Sequence, residues 1–370
     1  MCQNNVKLAT FHTYLRKVLK GAKHLKALSL FAGGGIGETY LEEIGINTVI
    51  ANELLPDRAN IHTFRFPKTD MIVGDIKEKK EEIINKANDI KIDLLIATPP
   101  CQGMSNLGRR DYEGDERNYL IFDVFDIIDA INPSYIFIEN VPKFLDMYYP
   151  FNGEIVKLTD ILERKYSNKY EIVYGVYNAA DYGVPQIRKR AIIRMFKKGL
   201  VWEDPSKQKH ITLQEAIGHL PSVESGESSG IPYHNGPKHS AKHIEVLRHT
   251  PTGCSGHDNE FYYPKKDDGT RVKGYHNTYS RLHWDRVCPT RTMNSGSVSG
   301  SNNCHPGRPL PDGTYSDARV FTLLELFIVS SLPEDVKLPN GLSEKIIREV
   351  IGEGIPPLMS KVFLEKIKHI

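Results

Sequence analysis

Leu28-Ser29-Leu30-Phe31-Ala32-Gly33-Gly34-Gly35-Ile36-Gly37 decides the fold of this chain. A short apolar run enters a glycine-rich turn, and glycine accepts positive φ and lets backbone approach a ligand closely. About 16 residues past Gly37, Ile50-Ala51-Asn52-Glu53 closes the next apolar run with a carboxylate, well placed for ribose hydroxyls. Gly74-Asp75-Ile76 follows a third run and adds a second acidic tip. Taken alone, the turn fits dehydrogenases, methyltransferases or a tight strand-to-helix turn without a ligand.

Outward from that turn, apolar runs at 27–31, 47–51, 70–73, 92–97 and 134–139 read as buried strands. Segments of helical spacing separate them. In Tyr119 to Ile131, Leu120, Ile121, Val124, Phe125, Ile127, Ile128 and Ile131 line one broad face. Such alternation predicts an α/β fold with a mostly parallel sheet covered by helices on both faces. Further β-rich runs lie at 170–177 and 191–196, and residues 11–26 read as a short basic helix. After about Lys198, Gly, Ser, Pro and His become frequent and periodicity fades, which predicts an irregular second domain. Helical pattern returns in Phe321–Ser330, Ser343–Val350 and the last dozen residues, with a Pro and Gly cluster at 352–357 separating the last two.

The chain has 370 residues, 40% of them apolar and 25% charged, enough for a sizeable core and more than one domain. Net charge is only +2, but Gln186 to Arg291 carries 18 Lys and Arg against 11 Asp and Glu, with nine of the 14 histidines. A basic segment within a near-neutral chain suits phosphate contacts, although a solvated surface of mixed charge has the same composition. The five cysteines form no C-x-x-C pair, and an odd count argues against a disulfide framework and for a reducing cytoplasm. No signal peptide and no membrane span are expected. Cys304-His305 lacks a second pair at ligand spacing, so no metal site is expected.

Ile96-Ala97-Thr98-Pro99-Pro100-Cys101-Gln102-Gly103-Met104-Ser105 closes the fourth strand with two prolines and a cysteine. The prolines fix φ and stiffen the turn that carries the thiol. A helix starting just beyond would favour the thiolate through its N-terminal dipole. A lone cysteine is usually a small buried hydrophobe, so its neighbours must decide. Tyr135-Ile136-Phe137-Ile138-Glu139-Asn140-Val141 ends a fifth strand in a carboxylate that can reach the same cavity, or that merely caps a helix on the surface. In Asp181-Tyr182-Gly183-Val184-Pro185-Gln186-Ile187-Arg188-Lys189-Arg190, an extended backbone would point Gln186, Arg188 and Arg190 the same way. They would line a site or form a plain basic edge.

Phe-x-Gly-x-Gly, Pro-Pro-Cys-Gln, Glu-Asn-Val and Gln-x-Arg-x-Arg, in this order, resemble the conserved blocks of the cytosine-C5 DNA methyltransferase family of bacterial restriction-modification type. Cys288-Pro289-Thr290-Arg291-Thr292 resembles its Pro-Thr segment, and Ala318-Arg319-Val320-Phe321-Thr322 with Glu325 its Arg-x-Leu-Thr-x-x-Glu block. Gly352-Glu353-Gly354-Ile355-Pro356-Pro357 resembles its closing Gly-Asn-x-x-Pro-Pro block. The resemblance covers residues 28 to 357. It departs at Ile36, where many members carry another glycine, and at Glu353 and Gly354, which replace Asn and a small residue.

The resemblance implies a Rossmann-like S-adenosylmethionine-dependent methyltransferase sheet with a second, smaller, irregular target-recognition domain. Residues 1–197 would form the catalytic and cofactor-binding domain, with 319–370 returning to it, and 198–318 the target-recognition domain. Cys101, Glu139, Arg188 and Arg190 would be catalytic. Phe31, Gly33, Gly35, Glu53, Asp75, Ile76, Pro100 and Leu120 would surround S-adenosyl-L-methionine, and Glu353 would meet its ammonium or a nearby backbone amide. Gln102, Ser105, Arg109, Arg110, Gln186, Thr290 and Thr292 would contact double-stranded DNA. The loop from Gly103 to Asn118, with Gly108, Gly114 and Arg117, has the glycine hinges and arginines of a segment that closes over DNA. A monomer is expected, with a cognate restriction endonuclease as a partner in function only.

Three other readings compete. A tRNA cytosine-C5 methyltransferase shares Pro-Pro-Cys-Gln and Glu-Asn-Val, but the long basic segment favours a DNA reader. Amino-methylating enzymes use an Asp/Asn/Ser-Pro-Pro-aromatic motif and have no use for a thiol. A catalytically silent DNA-binding relative would be expected to lack Cys101 or Glu139, and both are present.

Overall fold

In a computed structural model, which describes residues 24–100 and 116–368, the apolar runs lie side by side in one sheet. Its strands are β1 (Leu25–Leu30), β2 (Ile46–Glu53), β3 (Asp70–Val73), β4 (Leu94–Ala97), β5 (Tyr135–Asn140), β8 (Tyr170–Asn178) and β9 (Lys189–Lys197). The order is β3-β2-β1-β4-β5-β9-β8, and β6 (Tyr148–Phe151) with β7 (Glu154–Lys157) forms a separate hairpin. The first five are parallel neighbours. Strand β9 runs antiparallel to both β5 and β8.

The central strands β4 and β5 are buried throughout because both faces are covered. Leu95 and Ala97 of β4 join one core while Leu94 and Ile96 join the other, and Ile136 and Ile138 alternate in the same way with Tyr135 and Phe137. Helices α2 (Ile76–Ile90), α3 (Leu120–Ile131) and α4 (Leu158–Tyr166) contribute to the first core. The second core is closed by α9 (Pro357–Leu364), whose Met359, Val362 and Phe363 pack against the sheet. This is the expected Rossmann-like arrangement, with strand limits within a few residues of those predicted.

A third core joins α5 (Leu213–Ile217) to α7 (Leu323–Val329) and α8 (Glu344–Glu353), together with Leu282 and Cys288. A fourth, small core comprises Val246 and Leu247 of α6 (Ala241–Arg248) with Tyr279, Val298, Cys304, Ala318 and Val320. Between Trp202 and Val320 pairing is limited to isolated bridges, as the loss of periodicity predicts.

Two expectations need correction. Residues 25 and 26 of the predicted 11–26 helix begin β1, since the backbone of Leu25 and Lys26 pairs with Ile46 and Asn47; residues 11–23 lie outside the described residues. The extended run expected to align Gln186, Arg188 and Arg190 becomes β9 only at Lys189.

Candidate active site

The glycine turn occupies the carboxyl edge of β1. Phe31, Gly33 and Gly35 have φ of 58°, 55° and 67°, a left-handed region that a side chain disfavours. A Cβ on Gly35 would lie 2.5 Å from the Phe66 ring, so only glycine fits there. A Cβ on Gly33 would meet nothing within 4 Å, which leaves open space beside the turn. Arg65 of α1 (Pro56–Arg65) braces the turn by donating to the Gly34 carbonyl at 2.8 Å.

Neighbouring strand tips converge on this edge. Glu53 ends β2 and accepts the Gly33 N–H and the Leu55 N–H, each at 2.8 Å. Asn52 holds β3 alongside through the carbonyls of Ile72 and Gly74 at 2.9 and 3.1 Å. Asp75 caps α2, accepting the Lys77 N–H at 2.9 Å, and Ile76 is buried beneath it. From β4, the Thr98 hydroxyl donates to the Phe31 carbonyl at 2.9 Å. Leu120, the first residue of α3, and Pro100 are half-buried. Open space at Gly33, a carboxylate at the end of β2 and exposed Leu54 and Leu55 fit a ligand with a ribose and an apolar ring. S-adenosylmethionine has both.

Two strands further, Glu139 and Asn140 end β5. The Asn140 amide donates to the Pro99 carbonyl at 3.1 Å, tying the β5 tip to the turn that leads into Cys101. Antiparallel β9 brings its own first residues to this edge, with Asn140 opposite Ala191. Arg190 Nε consequently donates to Glu139 at 2.8 Å. Burial pushes the Glu139 carboxyl above its usual range, while Arg190 and Arg188 pull against it.

Arg188 precedes β9. It is 2% exposed and donates to the carbonyls of Arg291 at 2.8 Å, Gly352 at 2.8 Å and Gly354 at 3.0 Å. Gln186 is 1% exposed, with its amide on the Val329 carbonyl and its oxygen accepting the Arg291 N–H. The residue precedes the strand, and its polar atoms have protein partners. Thr290 is exposed, and its hydroxyl donates to the Ile187 carbonyl at 2.7 Å; Thr292 is half-buried. The segment 288–291 thus runs beside 186–188. Glu353 pairs at 2.8 Å with Arg58. Arg58 and Arg65 carry no motif and escaped the sequence reading, with proximity to the Glu53 tip as their only signal; Asn52 was quoted beside Glu53 but given no role. Cys101, Gln102, Ser105, Arg109 and Arg110 lie outside the described residues.

Comparisons with known proteins agree with this arrangement. The model of the C-5 cytosine-specific DNA methylase family matches residues 25–369. Type II methyltransferase M1.HgaI of Avibacterium volantium is 45% identical over 343 residues, 91% of this chain and 96% of its own. Type II methyltransferase M1.HphI of Haemophilus parahaemolyticus is 27% identical, over 96% of this chain and 89% of its own. Among solved structures, a putative DNA modification methyltransferase encoded within an E. coli prophage superimposes with a TM-score of 0.68 at 21% identity, covering 92% of this chain and 98% of that one. The Entamoeba histolytica methyltransferase EhMeth gives a TM-score of 0.62 at 16% identity, covering 93% and 98%. These last two likenesses bear on the fold alone. With a family match spanning both the glycine turn and the closing block, the chain belongs to the C-5 cytosine-specific DNA methylase family and is a DNA cytosine-5-methyltransferase of the restriction-modification type.

Proposed function

We propose that this protein methylates C5 of a flipped-out cytosine within a specific duplex sequence, through a covalent adduct with Cys101. The observation that carries the reading is the Arg190–Glu139 pair, set on the strand tip that Asn140 ties to the Pro99-Pro100-Cys101 turn. C5 of cytosine is a weak nucleophile, and covalent attack splits one difficult step into easier ones. The Cys101 sulfur bonds to C6 as the C5–C6 double bond opens, leaving electron density at C5. Glu139 hydrogen-bonds the N3 and amino edge and supports a proton at N3 as charge builds there. Arg190 fixes the carboxyl in place, and Arg188 fixes the segment that carries Arg190.

S-adenosylmethionine, when bound, supplies the electrophilic methyl group; Phe31, Gly33, Gly35, Glu53, Asp75, Ile76, Pro100 and Leu120 would hold it. After methyl transfer, loss of the C5 proton to a base such as water restores the double bond and releases the thiolate. Flipping the base costs a few kcal/mol, which contacts from Gln102, Ser105, Arg109, Arg110, Thr290 and Thr292 would offset. Residues 198–318 would read the sequence, and a cognate endonuclease would cut the same site when unmethylated. Among the described residues no helix is long and apolar enough to cross a membrane; a cytoplasmic monomer suits this work.

Two measurements test the reading. Cys101→Ser should lose at least about a hundredfold in methyl transfer to duplex DNA. Duplex carrying 5-fluorocytosine at the target should give a stable protein–DNA adduct with the wild type and none with the variant. Full transfer by Cys101→Ser would refute covalent catalysis at this residue.

A further inference from the structure

Arg58 lies in the first turn of α1, five residues past Glu53, and its side chain is only 9% exposed. Its guanidinium donates to Glu349 at 2.9 Å and to Glu353 at 2.8 Å, both on α8. Locally this arrangement is unfavourable. A cation stands at the positive end of its helix, and the Glu353 anion stands at the negative end of the other. Neither helix selects its own charge, so the pairing answers to the tertiary structure. Local rules broken in this way tend to mark functional positions. Glu353 is also where the chain departs from the Asn of the family's closing block.

The backbone around Glu353 continues the connection. Carbonyls of Gly352, Glu353 and Gly354 accept from Arg188 Nη2 at 2.8, 3.3 and 3.0 Å. Two residues on, Arg190 holds Glu139. At the other end, Glu53 holds the Gly33 N–H of the glycine turn and the Leu55 N–H just before α1. The glycine turn and the base-side carboxylate are therefore joined by an unbroken series: Glu53, α1, Arg58, Glu353, Arg188, Arg190, Glu139.

We propose that Arg58 is a positioning residue for methyl transfer, which through Glu353 and Glu349 sets the cofactor edge of the sheet relative to the strand that holds cytosine. Glu353 serves the cofactor pocket through Arg58 rather than as a ligand. Alignment of two reactants is sensitive to displacements of about 1 Å, which can cost up to about a hundredfold in rate. The inference rests on the reading of Glu139 and the glycine turn given above.

The test compares wild type, Arg58→Met, Glu353→Gln and the double variant. It measures kcat, KM for S-adenosylmethionine, donor affinity of the DNA-free protein by calorimetry, and the thermal midpoint. Arg58→Met is expected to lower kcat at least about tenfold and to weaken donor binding severalfold. Glu353→Gln should shift both in the same direction by less, and it keeps the question answerable if Arg58→Met does not fold. The double variant should be no worse than Arg58→Met alone, because both remove one link. A lowered thermal midpoint with kcat and donor affinity within about twofold of wild type, or multiplicative losses in the double variant, would overturn the proposal. Glu139→Gln, measured alongside, tests the underlying site: if it retains wild-type kcat, that reading fails whatever Arg58 does.

Discussion

Gly307 donates its backbone N–H to Nδ1 of His305 at 3.1 Å, so the buried ring must stay neutral to accept it. Burial lowers the ring's pKa from 6.5 to about 4, with Arg319 and Arg281 adding to the effect and Glu325 and Asp317 opposing it. Burial would raise Glu325, but Arg319, at 2.8 and 2.9 Å, outweighs it and holds that carboxyl at about 2. The native ring takes up a proton only below the pH at which the unfolded one does. The ring's contribution to stability is therefore complete above pH 6.5 and is lost as pH falls towards 4, by up to about 1.4 kcal/mol per pH unit. Urea midpoints measured from pH 7 to 4.5 should fall for the wild type and fall less steeply for His305→Gln. Equal slopes would remove His305 from the account.

Helix α8 shows how an element can be decided by what lies against it. A Cβ on Gly352, in its last turn, would sit 2.3 Å from the Met293 nitrogen and 2.4 Å from the Thr292 carbonyl carbon. Alanine normally favours a helix over glycine by about 1 kcal/mol, but displaced backbone at this seam reverses the sign. Gly352→Ala should lower stability by about 1–3 kcal/mol and weaken duplex binding through the displaced Thr292 segment. Denaturant unfolding and a binding titration would check both, and a stabilised variant would contradict the packing. Elements with buried apolar faces were legible in the sequence, because their period survives every tertiary context. The β6–β7 hairpin was not, since Tyr148-Tyr149-Pro150-Phe151 shows no clean alternation. The expected alignment of Gln186, Arg188 and Arg190 failed because an alternating pattern gives direction only where a strand exists, and β9 begins at Lys189. The placement of Glu53, Glu139 and Arg190 on one edge was legible, as each sits at the junction of an apolar run with a polar motif. Arg58 was not, because its partners lie about 290 residues away and no local spacing reports them.

Across the whole molecule, charge and regularity divide together. The stretch from Gln186 to Arg291 carries a net +7 and mostly irregular backbone. Buried arginines take over hydrogen bonding that strands provide elsewhere: Arg281 donates to carbonyls of Leu247, His305 and Asp317, and Arg348 to those of Ser295 and Phe321. The exposed remainder is available to phosphates. Affinity for duplex DNA should drop about a hundredfold between about 50 and 200 mM salt, as four released counterions would require. A titration showing less than about a tenfold change would move DNA contact away from this segment. The strand order has a further consequence, in time rather than space. Residues 25–140 supply β1 to β5 as one contiguous stretch, so this half of the sheet can pair early during synthesis. Among the described residues β8 pairs only with β9, and Arg188, which also reaches the Arg291 carbonyl, completes its set of carbonyl partners only when residues 352–354 arrive. A nascent chain thus pairs its parallel strands well before Arg58 and Arg188 meet residues 349–354, and on the function proposed above it should modify DNA only when nearly all of it has been made.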